Sequence, residues 1–209
     1  MLAAAGLLAR QIDITNHATL ILVLASPVLM LAGGLTQMSA MGIDKDFPYR
    51  IVRPEAGGSG AGLWSRYPLN DAGMVSEPIP ITARVEVPGT ATRPTVVVVH
   101  LSAPWPWPIE WWRTDIAFAA ESLDRLEGTV VAAGDFNSTR DMAQFRRILD
   151  SGYRDAGVFA PTYPADSAVP PMLALDHVLV RNGSSSRART ADIQGSDHRA
   201  VFATVQIPK

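Results

Sequence analysis

The stretch that decides the fold is TVVAAGDFN, Thr129 to Asn137, read together with an earlier run, TVVVVHL, Thr95 to Leu101. Both are unbroken β-branched or small apolar runs of strand length, and each ends abruptly in polar residues. Continuous runs of this kind suit central strands covered on both faces. Between them Trp112, Ile116, Ala119, Leu123 and Leu126 recur at helical spacing, so an amphipathic helix is predicted over Trp111–Leu126. Strand, helix, strand in that order is a βαβ unit, and it sets the class as mixed α and β.

Further elements follow outward from this unit. Ile79–Val87 alternates apolar with polar residues and reads as a half-buried strand. Short strands are predicted at Tyr49–Val52, Gly62–Trp64, Leu175–Val180 and Val201–Ile207. A helix capped by Asp141 is predicted to run to Leu149. With 209 residues the chain is long enough for a layered core without covalent staples. It has no cysteine, which excludes disulfides, thiolate zinc sites, iron–sulfur clusters and a cysteine nucleophile. Net charge is only −2, so a broad nucleic-acid-binding surface is not expected.

Polar residues cluster where the predicted strands end. His100 closes the first run, Asp135 and Asn137 leave the second, Asp176 and His177 open LDHVLV, and Asp197 and His198 precede the last strand. Polar groups at the ends of buried strands converge on a cleft.

Taken as a set, GDFN at Gly134–Asn137, LDH at Leu175–His177 and SDH at Ser196–His198 resemble the endonuclease/exonuclease/phosphatase family. His100 with Pro104 and the segment LWSRYP at Leu63–Pro68 resemble two further family strands. The resemblance covers about residues 47 to 208. It implies a four-layer α/β sandwich of two mixed sheets flanked by helices. It also implies metal-dependent hydrolysis of a phosphodiester or phosphomonoester by activated water. Residue by residue, His198 is implied as general base or phosphate-polarising group, oriented by Asp176. Asp135 is implied to orient the water, Asn137 to donate to a phosphoryl oxygen, and His100 to contact the phosphate or leaving group. Asp197 is implied as a ligand of Mg²⁺ or Mn²⁺. His177 reads as a packing residue and Arg199 as a surface or ion-pairing one.

One departure runs against this. No Asp, Glu, Lys or Arg occurs from Ile14 to Ile43, where the family carries its principal metal-binding Glu. Neither Glu55 nor Glu77 has the spacing to replace it. The family's first strand is therefore expected to be missing, altered or to lie before Met1, with metal binding and hydrolysis weakened. The alternative is an inactive remnant that serves as a binding or membrane-tethered domain. Residues 1–43 are read as a separate apolar segment and 44–209 as the domain. Within that segment Ala18–Leu35 is charge-free over eighteen residues, at the floor for a membrane span, and is interrupted by Pro27 and Gly33–Gly34. A membrane anchor and a buried strand at Leu20–Leu24 both fit. Since bacterial relatives carry membrane helices ahead of this domain, localisation is expected to be membrane-associated or cytoplasmic, with membrane contact through 18–35. The substrate is a phosphate ester: a small molecule, a lipid headgroup or a nucleic acid.

Overall fold

The computed structural model describes residues 21–24 (as backbone), 42–53, 60–72, 78–156, 160–193 and 196–208. Its centre is a six-stranded mixed sheet in the order β4-β5-β6-β7-β9-β8. These strands are β4 (Leu69–Asp71), β5 (Ile81–Val85), β6 (Thr95–His100), β7 (Val130–Asp135), β8 (Arg154–Asp155) and β9 (Asp176–Arg181). The two runs that define the fold, β6 and β7, lie side by side in parallel, and every other pairing in this sheet is antiparallel.

Alternation along these strands sorts the core onto two faces. Val97, Val99, Val130, Ala132 and Leu179 face two helices, α2 (Ile109–Asp124) and α3 (Ala143–Asp150), which contribute Trp112, Ile116, Leu123, Phe145 and Ile148. Val96, Val98, Val131, Ile81 and Ala83 face the other way, against Ala61 and Leu63 of β3 (Ala61–Ser65). Covering both faces is what lets the central runs dispense with polar alternation.

The second side is made of two smaller antiparallel sheets. One has the order β1-β3-β2, with β1 at Ile21–Leu24 and β2 at Tyr49–Arg53; the other pairs β10 (Ser184–Ala191) with β11 (Ala200–Gln206). Trp64, next along β3, points away from Leu63 and donates its indole N–H to Asp44 (3.3 Å) in the short helix α1 (Ile43–Asp46). The layered sandwich expected from the sequence is therefore the architecture found. Its second side is split into two antiparallel sheets rather than one mixed sheet.

The cap of α3 and strand β10 differ from the sequence reading. Asp141 does not cap α3: the extended N-cap conformation falls one residue later, on Met142, with no side-chain bond. The main-chain carbonyl of Asp141 instead accepts from the Arg146 guanidinium. Strand β10, SSSRARTA, has no apolar alternation and could not be read from pattern; pairing with β11 makes it a strand, with an irregularity between Ser186 and Arg189. Strand β1 falls within the strand read at Leu20–Leu24, and it pairs with β3. The remainder of 18–35, together with Glu55 and Glu77, lies outside the described residues. No helix among the described residues is long and apolar enough to cross a membrane.

Gly134 is the tightest point of the parallel pair. Its φ is +143°, and a Cβ there would sit 2.0 Å from the carbonyl oxygen of Val99 on β6. No side chain fits without separating β6 from β7. Gly134→Ala is expected to lower unfolding free energy by about 3 kcal/mol, combining backbone strain with a lost strand contact. Urea denaturation monitored by circular dichroism measures it, and an unchanged midpoint would contradict this packing.

Candidate active site

The register of three adjacent strands builds the site. His100 on β6 is opposite Asp135 on β7, and Asp135 is opposite Asp176 on β9. Three polar residues thus form one row across the end of the central sheet. Strand β9 runs antiparallel to β7, so its first residue meets the last residue of its neighbour. His198, from the segment before β11, completes the group. Its Nδ1–H donates to Asp176 Oδ2 at 2.7 Å, and its Nε2 lies 3.9 Å from Asp135 Oδ2. The acceptor-only carboxylate fixes that tautomer.

The turn after β7 holds Asp135 in place. Asp135 Oδ1 accepts from the backbone N–H of Asn137 (2.8 Å), an Asx-type turn that accommodates φ +44° at Asn137. The Asn137 amide donates to Asp135 Oδ2 (3.1 Å) and to the Leu101 carbonyl (2.8 Å). Both amide hydrogens are thereby used inside the protein. As placed, Asn137 holds the carboxylate, and the donation to a phosphoryl oxygen implied by the resemblance requires one of these bonds to be exchanged.

Two residues not picked from the sequence support the group. Thr162 is buried; its hydroxyl oxygen accepts from the N–H groups of Leu175 (3.1 Å) and Asp176 (3.3 Å), and its carbonyl accepts from Arg199 N (2.8 Å). It ties the start of β9 to the His198 segment. Tyr163 places its ring 4.9 Å from the His198 ring. Both lie in a segment without helix or strand periodicity, so no pattern marked them.

His177, beside Asp176, points to the opposite face of the sheet. Its Nδ1 meets Asp155 (2.9 Å), its Nε2 meets the Ser138 carbonyl (2.8 Å), and its ring lies 4.4 Å from that of Phe145. The packing role read from the sequence is what the geometry shows. Arg199 pairs with Asp192 (2.6 Å), as a surface ion-pairing residue does.

Burial makes this cluster electrostatically unusual. Asp135 is 1% exposed, and burial, then the nearby charge of Asp176, push its carboxyl up to about 7. For His198 burial works downward, but the hydrogen bond and charge of Asp176, with Asp135 and Asp197 adding, lift it to about 9. His100 moves below its ordinary value, chiefly through burial, with Asp176 opposing.

Among the described residues, Asp135, Asp176 and His198 are the one His/Asp/Glu group whose ligand atoms lie within 4.8 Å of one another. Asp197 stands beside this group, and its Oδ1 is buried with no hydrogen-bond partner. The carboxylates and imidazole of that group are donors a divalent cation accepts, so the residues present fit such an ion.

The sequence profile of the Endonuclease/Exonuclease/phosphatase family matches residues 14–198. The chain belongs to this family. No curated protein matches it. Among solved structures it is similar to an endonuclease/exonuclease/phosphatase from Beutenbergia cavernae (TM-score 0.65, 18% identity, covering 83% of this chain and 57% of that one). It is also similar to D. rerio TDP2 complexed with single-strand DNA product (TM-score 0.69, 12% identity, 98% and 92%). A third similar structure is the 3'-5' exonuclease from Neisseria meningitidis (TM-score 0.58, 19% identity, 98% and 95%). Likeness at these identities establishes a shared fold. The chain spans little more than half the length of the Beutenbergia protein.

The family fold with this charge arrangement has a definite pH signature in the metal-free protein. Both Asp135 and His198 bind protons more tightly folded than unfolded. Asp135 therefore loses stability for the fold as pH rises from its unfolded value, 3.8, through about 7. The contribution of His198 is complete below 6.5 and is lost as pH rises through about 9. The urea midpoint of metal-free protein is expected to fall steadily from pH 5 to pH 9, and Asp176→Asn is expected to flatten the alkaline limb. In ¹⁵N imidazole spectra His198 should stay doubly protonated at pH 7.5; a neutral ring there would contradict the arrangement.

Proposed function

We propose that the chain is a divalent-metal-dependent phosphoesterase that hydrolyses a phosphodiester or phosphomonoester with an activated water. The observation that carries this reading is the His100–Asp135–Asp176 row with His198 bonded across it, at the open end of the central sheet. Asp197, with the carboxylates of Asp135 and Asp176 toward the same cleft, is assigned to hold the ion. When bound, the ion neutralises phosphate charge and polarises the phosphorus–oxygen bonds.

The side chains divide the remaining work by their proton affinities. Asp135, which in the metal-free protein is raised chiefly by burial and by Asp176, is assigned to orient the attacking water and take its proton. His198, lifted to about 9, carries its proton there and offers Nε2–H to a phosphoryl oxygen as charge develops. This favours the phosphate-polarising role for His198 over that of general base. Asp176 holds the imidazole in one orientation, and Asn137 holds Asp135. His100, held below its ordinary value, faces the phosphate or leaving group as a neutral donor or acceptor.

The charge-free gap from Ile14 to Ile43 sets the limit on this activity. With no carboxylate beyond Asp135, Asp176 and Asp197 assigned to the ion, it is expected to bind weakly, with half-saturation in roughly the millimolar range. The same observation favours the second reading, a domain that binds phosphate esters without turnover. The test is hydrolysis of bis-p-nitrophenyl phosphate by full-length protein in Mg²⁺ or Mn²⁺. His198→Ala and Asp135→Asn are each expected to lower kcat/KM by about 100-fold or more, and EDTA to abolish turnover. Phosphate binding by calorimetry with no turnover in either metal would support the second reading. Full activity in His198→Ala would sink the first.

A further inference from the structure

The large exposed apolar side chains are not scattered over this protein. Of nine among the described residues, four lie on the loop after His100 and the first turn of α2, and three on the segment that leads into Asp176. The first group is Trp105, Trp107, Ile109 and Trp111; the second is Val169, Met172 and Leu173. Trp105, Trp107 and Trp111 are 82%, 56% and 53% exposed, so packing of the sandwich edge does not account for them. His100 and Asp176 are the two ends of the polar row, one strand apart on either side of Asp135. Apolar segments therefore bracket the mouth of the site.

The Trp loop is held at its base and needs no large ordering to present these rings. Leu101 N donates to Asp135 O (3.0 Å), Ser102 N to Asp115 (2.9 Å) and Trp111 N to Pro108 O (3.0 Å), while Pro104, Pro106 and Pro108 restrict the span. Trp107 and Trp111 stack at 5.9 Å, and Phe118 continues the apolar stripe two turns along α2.

Charge selects the occupant. Residues 101–112 contain no Lys or Arg and one acid, Glu110; residues 160–176 contain no Lys or Arg, with Asp166 and Asp176. A polyanion wants aromatic rings accompanied by cations, and this rim repels one. Arg140 and Arg189 line a cavity of about 230 Å³ that Met172 and Leu173 also line, so the part of the rim without cations is the Trp segment. We infer that the rim formed by Trp105, Trp107, Trp111, Met172 and Leu173 docks on the surface of a zwitterionic phospholipid bilayer, with the indoles at headgroup level. The polar row then faces the headgroups. Docking is a property of the rim and stands independently of turnover.

Tryptophan fluorescence reads the contact directly. Of five tryptophans, Trp64 and Trp112 are buried, so emission from the exposed three reports the rim. Full-length protein is mixed with phosphatidylcholine vesicles with and without bromine on the acyl chains. The expected result is a blue shift and loss of about half the emission with brominated lipid, undiminished at high salt. The variant W105S/W107S/W111S, checked for a native circular dichroism spectrum, should lose the quenching even if another part of the chain keeps it on the vesicle. Absence of quenching overturns the assignment, as does equal quenching in the variant. Quenching by single-stranded DNA but not by vesicles would replace it with a nucleic-acid surface. Concentration-dependent dimerisation that buries the indoles without vesicles would replace it with self-association.

Discussion

Strands β6 and β7 approach each other so closely at Val99 and Gly134 that only a glycine can stand there, and the rest of the molecule is arranged around that contact. The parallel pair brings His100 level with Asp135. Because β9 returns antiparallel on the far side, its first residue, Asp176, falls into the same row. A slip of one residue in either pairing would turn one of these side chains to the opposite face of the sheet. His177 shows what lies there: it is packed among Phe136, Phe145 and Asp155, away from the cleft.

Burial then converts proximity into chemistry. Two carboxylates share a nearly dry site; burial and the charge of Asp176 disfavour ionisation of Asp135, while both carboxylates favour the imidazolium of His198. The result is a carboxyl lifted to about neutrality beside an imidazole lifted above it. Asn137, the Asx turn and Thr162 add no charge, but they hold the charged groups at separations where these shifts arise. Asp197, next to His198 in the chain, keeps one buried carboxylate oxygen without a hydrogen-bond partner.

Two features of the surroundings bear on what such a cleft can do. The stretch from Ile14 to Ile43 carries no acid, so it offers no carboxylate to a cation. The exposed apolar segments at its mouth carry no basic side chains, which distinguishes this entrance from one built for a polyanion. Both are departures from a general phosphoester-hydrolysing plan, and both concern access and affinity rather than the central row.

Much of this was legible in the sequence, for identifiable reasons. The continuous apolar runs could only be central strands, the 3.6-residue stripe from Trp112 could only be a helix against them, and the polar clusters had to emerge where those elements stop. His100, Asp135, Asn137, Asp176 and His198 were all named on that basis and do meet. What pattern could not carry was anything fixed by partners distant in sequence: β10, which is a strand because β11 accepts it; Thr162 and Tyr163, which matter through the atoms they touch; and the capping position at Met142. From order along the chain it follows which polar residues stand at the ends of buried strands, because local periodicity dictates where those strands stop. Only the tertiary structure decided their proton affinities and the exposure of the tryptophans. Both depend on which groups the folded chain removes from water, and that is a property of neighbours rather than of order along the chain.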